Sequence, residues 1–446
     1  MIKVSVTNPV SGGVILDACQ LAPNDIIRKL QVQVEAATGK RCQLFDATTA
    51  ELLQPGDDME EAGIEDGDQL HAMLLPDQRV YAVPSNSEHM LVLDPLSLES
   101  SCADTSEVAT GKWKWQGALG VNGKIYGIPD MSDRMLVHDT ESGVSTSIDI
   151  SALAIGEDKW GDALSLDGKL YATPHSGDRL MVLDTETGGI HGIDTSEVTT
   201  GNDKWLGAAA LDGKIYAAPD TADCILVFDT ASGDVSGIDI SAVASGPQKW
   251  GSMVAKDGRI YALPYDADCL LVFDARANRV SRVITASIAT GHLKWDHALA
   301  VGRKVYGLPL DADNVLVFDT ITGDISGIDT SQLALGEHKW SDAVEFEGKI
   351  YGIPYNADCL LVLDTTTGEI SSEDTSQIAR GKCNGDGDDG KWCSAVVLDG
   401  KIYAAPQNAD CWLIFDTATS IISSVSVTGF SCQGGKYCST VLTSML

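Results

Sequence analysis

Apolar and polar positions alternate in short runs along most of the chain, and beyond the first quarter the runs come in fours. One such group is Trp250–Ala255, the turn pair Asp257-Gly258, Arg259–Leu263 stopped by Pro264, Cys269–Phe273 ending at Asp274, and a fourth run near Ser281–Ile284. Asp-Gly between two apolar runs predicts a tight hairpin, so each group reads as a four-stranded antiparallel sheet. The group returns with a fixed period. Tyr81, Tyr126, Tyr171, Tyr216, Tyr261, Tyr306 and Tyr351 stand 45 residues apart, and Tyr403 follows after 52 because of a 7-residue insertion near Cys383–Gly390. A unit of about 45 residues with four strands is the size of a propeller blade. Eight copies predict a mainly β chain: an eight-bladed β-propeller of four-stranded blades over residues 77–446.

The ends predict how the ring closes. Residues from Lys436 to Leu442 match the start of a blade with no second strand after them, and Arg79–Val83 matches a second strand with no first. Pairing the two completes the first blade, with the C-terminal strand as its inner edge, and removes two open sheet edges.

The first 76 residues carry a different pattern. Ile2–Val6 alternates as a strand, Gly12-Gly13 turns, and Val14-Ile15-Leu16 returns. Asn24 or Asp25 can cap a helix whose apolar face is Ile27, Leu30, Val34 and Ala37, with Gly39 at its end. Cys42–Phe45, Glu51-Leu52-Leu53 and Gln69–Leu75 read as further strands. This ββαββ order, with Met59–Ile64 and Asp66–Leu70, resembles ubiquitin. The resemblance implies a small α+β ubiquitin-like (β-grasp) domain over residues 1–76. The strand ends at Leu75-Pro76 without the Gly-Gly tail of a conjugated modifier, which makes it a built-in docking domain. Leu44 and Leu70 fall where the ubiquitin hydrophobic patch is expected; the other reading is that both are core residues.

The blade pattern, Asp-Gly-Lys-Ile-Tyr followed by Leu-Val-x-Asp-Thr-x-Thr-Gly, resembles kelch repeats and the YVTN-type bacterial propellers. Kelch blades carry Gly-Gly where this chain has Pro84, Pro129, Pro174, Pro219, Pro264, Pro309, Pro354 and Pro406. The kelch resemblance implies a platform for protein binding. No match to the copper ligands of galactose oxidase, an enzyme of that architecture, is present.

Charge narrows the partners. The net charge is −33, from 64 acidic and 31 basic residues. Such a surface repels phosphate backbones and anionic lipid, which excludes nucleic acid and bilayers as main partners. No apolar run has the length of a membrane span, and Met1 leads straight into a strand. The expectation is a cytoplasmic monomer whose eleven cysteines are mostly reduced.

Several repeated residues invite a functional reading. Each blade opens with a lysine and an aromatic, as in Lys159-Trp160 and Lys249-Trp250, and each second-to-third-strand loop ends in an acid, as in Asp133 and Asp178. They could form a charged, aromatic rim. The preferred reading is a Lys–Asp pair and a Trp wedge that join neighbouring blades, because an asymmetric ligand cannot need all eight copies. The Asp closing each third strand reads as a turn former. Specificity is then expected where blades differ on the loop face: Trp113, His175, Tyr265, Leu310, Tyr355 and Gln407, with His292, Asp296, His297 and His338 from the inter-blade loops. Asn384–Gly390 resembles a calcium loop, but its glycine falls one place late and no twelfth-position glutamate follows. Cys383, Cys393, Cys432 and Cys438 could be thiols, two disulfides or a zinc site. Cys224, Cys269, Cys359 and Cys411 share one blade position and are too far apart to bridge.

No nucleophile elbow, phosphate loop or zinc-protease helix is present, and no cofactor is implied. The expectation is a non-enzymatic scaffold or adaptor, its propeller holding a client and its N-terminal domain docking a second partner, within the ubiquitin pathway if the resemblance extends to function. The alternative is a propeller enzyme of the lactonase or hydrolase type with a central divalent metal, for which His175, Asp296 and His297 are the candidates.

Overall fold

The computed structural model describes residues 2–8, 11, 13–23, 27–38, 42–54, 58–74, 78–379, 390–430 and 437–442. The chain forms two compact units, one containing the first 79 residues and the other the repeats.

In the first unit the strands β1 (Ile2–Thr7), β2 (Val14–Leu21), β3 (Cys42–Asp46) and β4 (Gln69–Leu74) form one sheet in the order β2-β1-β4-β3. The two central strands run parallel and the outer pairs antiparallel, the β-grasp arrangement. Helix α1 (Ile27–Thr38) buries Ile27, Leu30 and Val34 against Val4, Val6, Leu44 and Leu70. Its inner face continues through Gln31 and Glu35, and Ala37 lies exposed instead. Glu51–Leu53 makes a single bridge, Phe45 to Leu52, rather than a full strand. The expected helix cap and Gly39 lie outside the described residues.

The second unit is an eight-bladed propeller of four-stranded antiparallel blades. Blades 2 to 8 are sequential and begin at Trp115, Trp160, Trp205, Trp250, Trp295, Trp340 and Trp392. Blade 1 combines Tyr437–Leu442 with Val80–Pro84, His89–Leu93 and Ser100–Asp104, in that order from the inner edge. Tyr437 lies opposite Pro84 and Leu442 opposite Val80, so the closing strand pairs as expected; Lys436 is outside the described residues.

Local chemistry explains the blade. Asp257 and Gly258 both take positive φ, 51° and 78°, which is the twist a two-residue hairpin needs, and they set Ala255 opposite Ile260. Between blades, aromatic rings join the layers: Tyr216 meets Phe273 of the next blade with centroids 5.8 Å apart, and Tyr261 meets Phe318 at 5.7 Å.

Candidate functional site

The repeated lysines and tryptophans are interior. Trp160 and Trp250 are fully buried, and each donates its indole N–H to the first carbonyl of its own third strand, Arg179 O at 3.0 Å and Cys269 O at 2.9 Å. Lys159 is fully buried as well. Its ammonium donates to Asp130 O at 2.8 Å and Ser132 O at 3.3 Å of the preceding blade, and stands 3.7 Å from the exposed Asp133 carboxylate. Lys249 donates to Asp220 O of the preceding blade at 2.7 Å and to Gly246 O of the inter-blade loop at 2.8 Å. Burial holds both lysines below the ordinary lysine value, with nearby carboxylates acting against it. These rings therefore lock one blade to the next and do not form a rim. The acids that close the third strands cap turns: Asp184 accepts Thr187 N at 2.8 Å, and that bond holds its carboxyl below the usual range.

The inner strands line an axial cavity of about 400 Å³. Residues from six blades border it, among them Asp162, His297, Asp342, Cys393, Ser394 and Ser439. In blades 3, 5 and 7 a register shift directly after the tryptophan sets the side chain two places on toward the next inner strand. Ser252 Oγ there accepts Ala298 N at 3.1 Å, and Ser394 Oγ accepts Thr440 N at 3.1 Å. Asp162 and Asp342 make the same link to Ala208 N and Ala395 N, each at 2.8 Å. A hydroxyl is enough for this joint, so the two carboxylates add charge that the joint does not require. In blade 6 the position is His297, whose Nδ1 lies 3.1 Å from Asp342 Oδ1. Asp162 is exposed to the lumen, and the protein crowded around it pushes its carboxyl up to about 6, against its backbone bonds and the His297 imidazole. Asp296 is likewise pushed up to about 6 by its enclosure, with His297 acting against the shift and Asp342 adding to it.

The predicted loop-face residues divide. Trp113 is 46% exposed on a left-handed turn (φ 53°) whose N–H is held by Asn86 Oδ1 at 2.7 Å. His338 takes the same left-handed place (φ 50°), pinned by Asp311 Oδ1, and meets the half-buried Tyr355 edge-on at 6.2 Å. Gln407 donates to the Tyr355 hydroxyl at 2.9 Å. These three, from blades 6 to 8, form one cluster. His292 is exposed and pairs with Asp266 at 2.7 Å. His175 and Tyr265 are half-buried, and His175 stands 3.6 Å from Asp220. His297 borders the axial cavity, apart from His292, and Asp296 precedes it on the same inner strand.

Three expectations need correction. Leu310 is 5% exposed and belongs to the interior. Leu44 and Leu70 are both fully buried under α1, because in a strand alternate side chains take opposite faces. The outward face carries their neighbours: Phe45 lies opposite His71, and Gln43 opposite Met73, which is 48% exposed. Asp162 and Asp342 went unnoticed in the sequence. Reading the column two places after each tryptophan (Gly117, Asp162, Gly207, Ser252, His297, Asp342, Ser394, Ser439) would have shown them.

The Asn384–Asp389 segment, Cys383 and Cys432 lie outside the described residues, as does the Cys438 side chain. Among the described residues no group of three or more His, Cys, Asp or Glu is placed to hold a metal ion. Likewise, no described helix is long and apolar enough to cross a membrane.

No protein-family model matches the chain, and no curated protein matches it. Solved structures do. AztD from Citrobacter koseri superposes with a TM-score of 0.55 at 15% identity, over 82% of this chain and 97% of that one. The dihydro-heme d1 dehydrogenase NirN gives 0.56 at 12%, over 80% of this chain and 74% of that one. A streptogramin B lyase gives 0.50 at 12%, over 74% of this chain and 96% of that one. At such identities the likeness is one of fold: the chain is a β-propeller protein.

Proposed function

We propose that the chain is a cytoplasmic protein-binding scaffold or adaptor, not an enzyme. One observation carries the reading. The repeated lysines, tryptophans and aspartates are used up in holding the ring, so recognition falls to the residues that differ between blades on the loop face. Trp113 and Tyr355, the latter contacted by His338 and Gln407, are of the residue types that anchor protein interfaces. The kelch-like blade pattern agrees with a binding platform. The N-terminal unit, read as ubiquitin-like, supplies a second docking surface, with Phe45, His71 and Met73 as its outward patch in place of Leu44 and Leu70. Affinity capture with and without residues 1–76 tests this: two overlapping but unequal partner sets are expected, and identical sets refute the two-handed arrangement.

A second reading, a propeller hydrolase with an axial metal, is favoured by His297 and Asp342 facing each other in the cavity. The described residues do not suit a divalent ion. Asp162 and Asp342 each accept two backbone N–H bonds, which leaves few lone pairs for a metal. Metal analysis of purified protein decides this; a stoichiometric divalent ion would restore the enzyme reading.

A further inference from the structure

Two buried polar atoms on the loop face have no hydrogen-bond partner: His175 Nε2 and Asp220 Oδ1. Each belongs to the residue after the second-strand proline, in blades 3 and 4. Asp220 is 7% exposed. Its other carboxylate oxygen stands 3.6 Å from His175 Nε2, beyond hydrogen-bond length. His175 Nδ1 stands 3.7 Å from Asp203, so the ring lies between two carboxylates and makes a short bond to neither.

The same position in blade 5 is Tyr265, whose ring packs over Gly251. The ring is half-buried and stands within electrostatic reach of Asp296, Asp311, Asp220 and Asp266; its burial first, and then these carboxylates, hold the phenol neutral. Lys249 and Lys294 approach, but their ammoniums go to the backbone carbonyls of Asp220 and Tyr265. Asp220 Oδ1 is left without a donor.

A buried carboxylate oxygen lacking a donor, an aromatic ring and surplus negative charge describe the missing group: a compact cation with several N–H donors. We propose that the loop face where blades 3, 4 and 5 meet receives one guanidinium group, the arginine side chain of a partner protein. A guanidinium offers five donors in a plane and stacks on aromatic rings. An ammonium has fewer donors and no plane to stack. The proposal rests on the reading of the loop face as a client-binding surface and names the client's anchor.

Calorimetric titration of the full chain with N-acetyl-arginine methylamide, against the citrulline analogue of the same shape without charge, tests it. The arginine probe is expected to bind at least tenfold more tightly than the citrulline probe. Asp220→Asn should weaken the arginine probe at least tenfold and Tyr265→Leu severalfold. Glu186→Gln, on an exposed turn at the opposite face, should change nothing, which separates a pocket from general attraction to an acidic protein. Equal binding of the two probes overturns the proposal, whatever the folding of the variants. So does full arginine affinity in an Asp220→Asn protein with an unchanged melting temperature. If the probes fail while capture with and without residues 1–76 behaves as expected, the arginine pocket is wrong and the scaffold stands; arginine binding without any captured client gives the reverse.

Discussion

Lys159 shows how a charge is kept inside a blade joint. Its ammonium is buried but meets two carbonyls of the preceding blade, while Asp133, the obvious ionic partner, is mostly in water. The carbonyl bonds should matter more than the ion pair, because a buried group left unpaired costs more than an exposed pair contributes. Lys159→Met is expected to cost about 2–3 kcal/mol, and Asp133→Asn less than about 1 kcal/mol. Chemical denaturation of both variants checks the ranking. Asp162 makes the opposite case. Its carboxyl is pushed up to about 6 in the folded protein, against about 3.9 in an unfolded chain. The folded state therefore holds the proton more tightly, and stability present at low pH is lost as pH rises through the interval between those values. Asp162→Ser keeps an acceptor for Ala208 N, as Ser252 does for Ala298 N, and removes the charge. Its melting temperature relative to the parent should improve between about pH 4 and pH 7.5. A difference that does not move with pH would show that Asp162 is ordinary.

At the scale of the element, periodicity made most of the fold legible and alternation set the limit. Asp-Gly pairs, the tyrosine spacing and the prolines after each second strand located the strands of every blade, because each is a local signal. In the first unit the same kind of reading placed β3 and β4 but missed which side faces out. One step along a strand reverses the face, and the signal for the wet side was the polar pair Gln69 and His71, which alternate in step with Met73. Met73→Ala should therefore leave the unit's stability within about 0.5 kcal/mol, whereas Leu70→Ala should cost about 2–5 kcal/mol. Hydrogen exchange over β1, β3 and β4 would reveal the difference; equal protection in both variants would contradict the observed register. The axial aspartates were hidden for another reason. They come to border one cavity only when the ring closes, and a single blade gives no hint of what stands opposite.

At the scale of the whole molecule, the C-terminal strand is a structural necessity. Tyr437–Leu442 supplies the inner edge of blade 1, and Thr440 N bonds to Ser394 of blade 8. Removing it opens the edge of Val80–Pro84 and breaks the ring at one joint. A chain ending at Cys432 is expected to aggregate or to melt far below the parent, as light scattering and thermal scans would show. A monomer with an unchanged melting temperature would be incompatible with eightfold closure.

The joint between blades 8 and 1 repeats the one between blades 5 and 6. Ser394 Oγ holds Thr440 N at the distance at which Ser252 Oγ holds Ala298 N, and both joints span 46 residues; the distant parts of the chain meet inside blade 1, where Tyr437–Leu442 pairs with Val80–Pro84. The ring thus keeps no record of where its polypeptide begins. Leu442 already lies beside Val80, as Ala255 lies beside Ile260 across an Asp-Gly turn. Circular permutation follows from this: joining residues 443 and 79 through Asp-Gly, and opening the chain at the exposed turn of Gly233, should give the same propeller with new termini. Matching circular dichroism and melting behaviour would establish it, and failure to fold would mean that the order of synthesis, and not the joints alone, selects the ring.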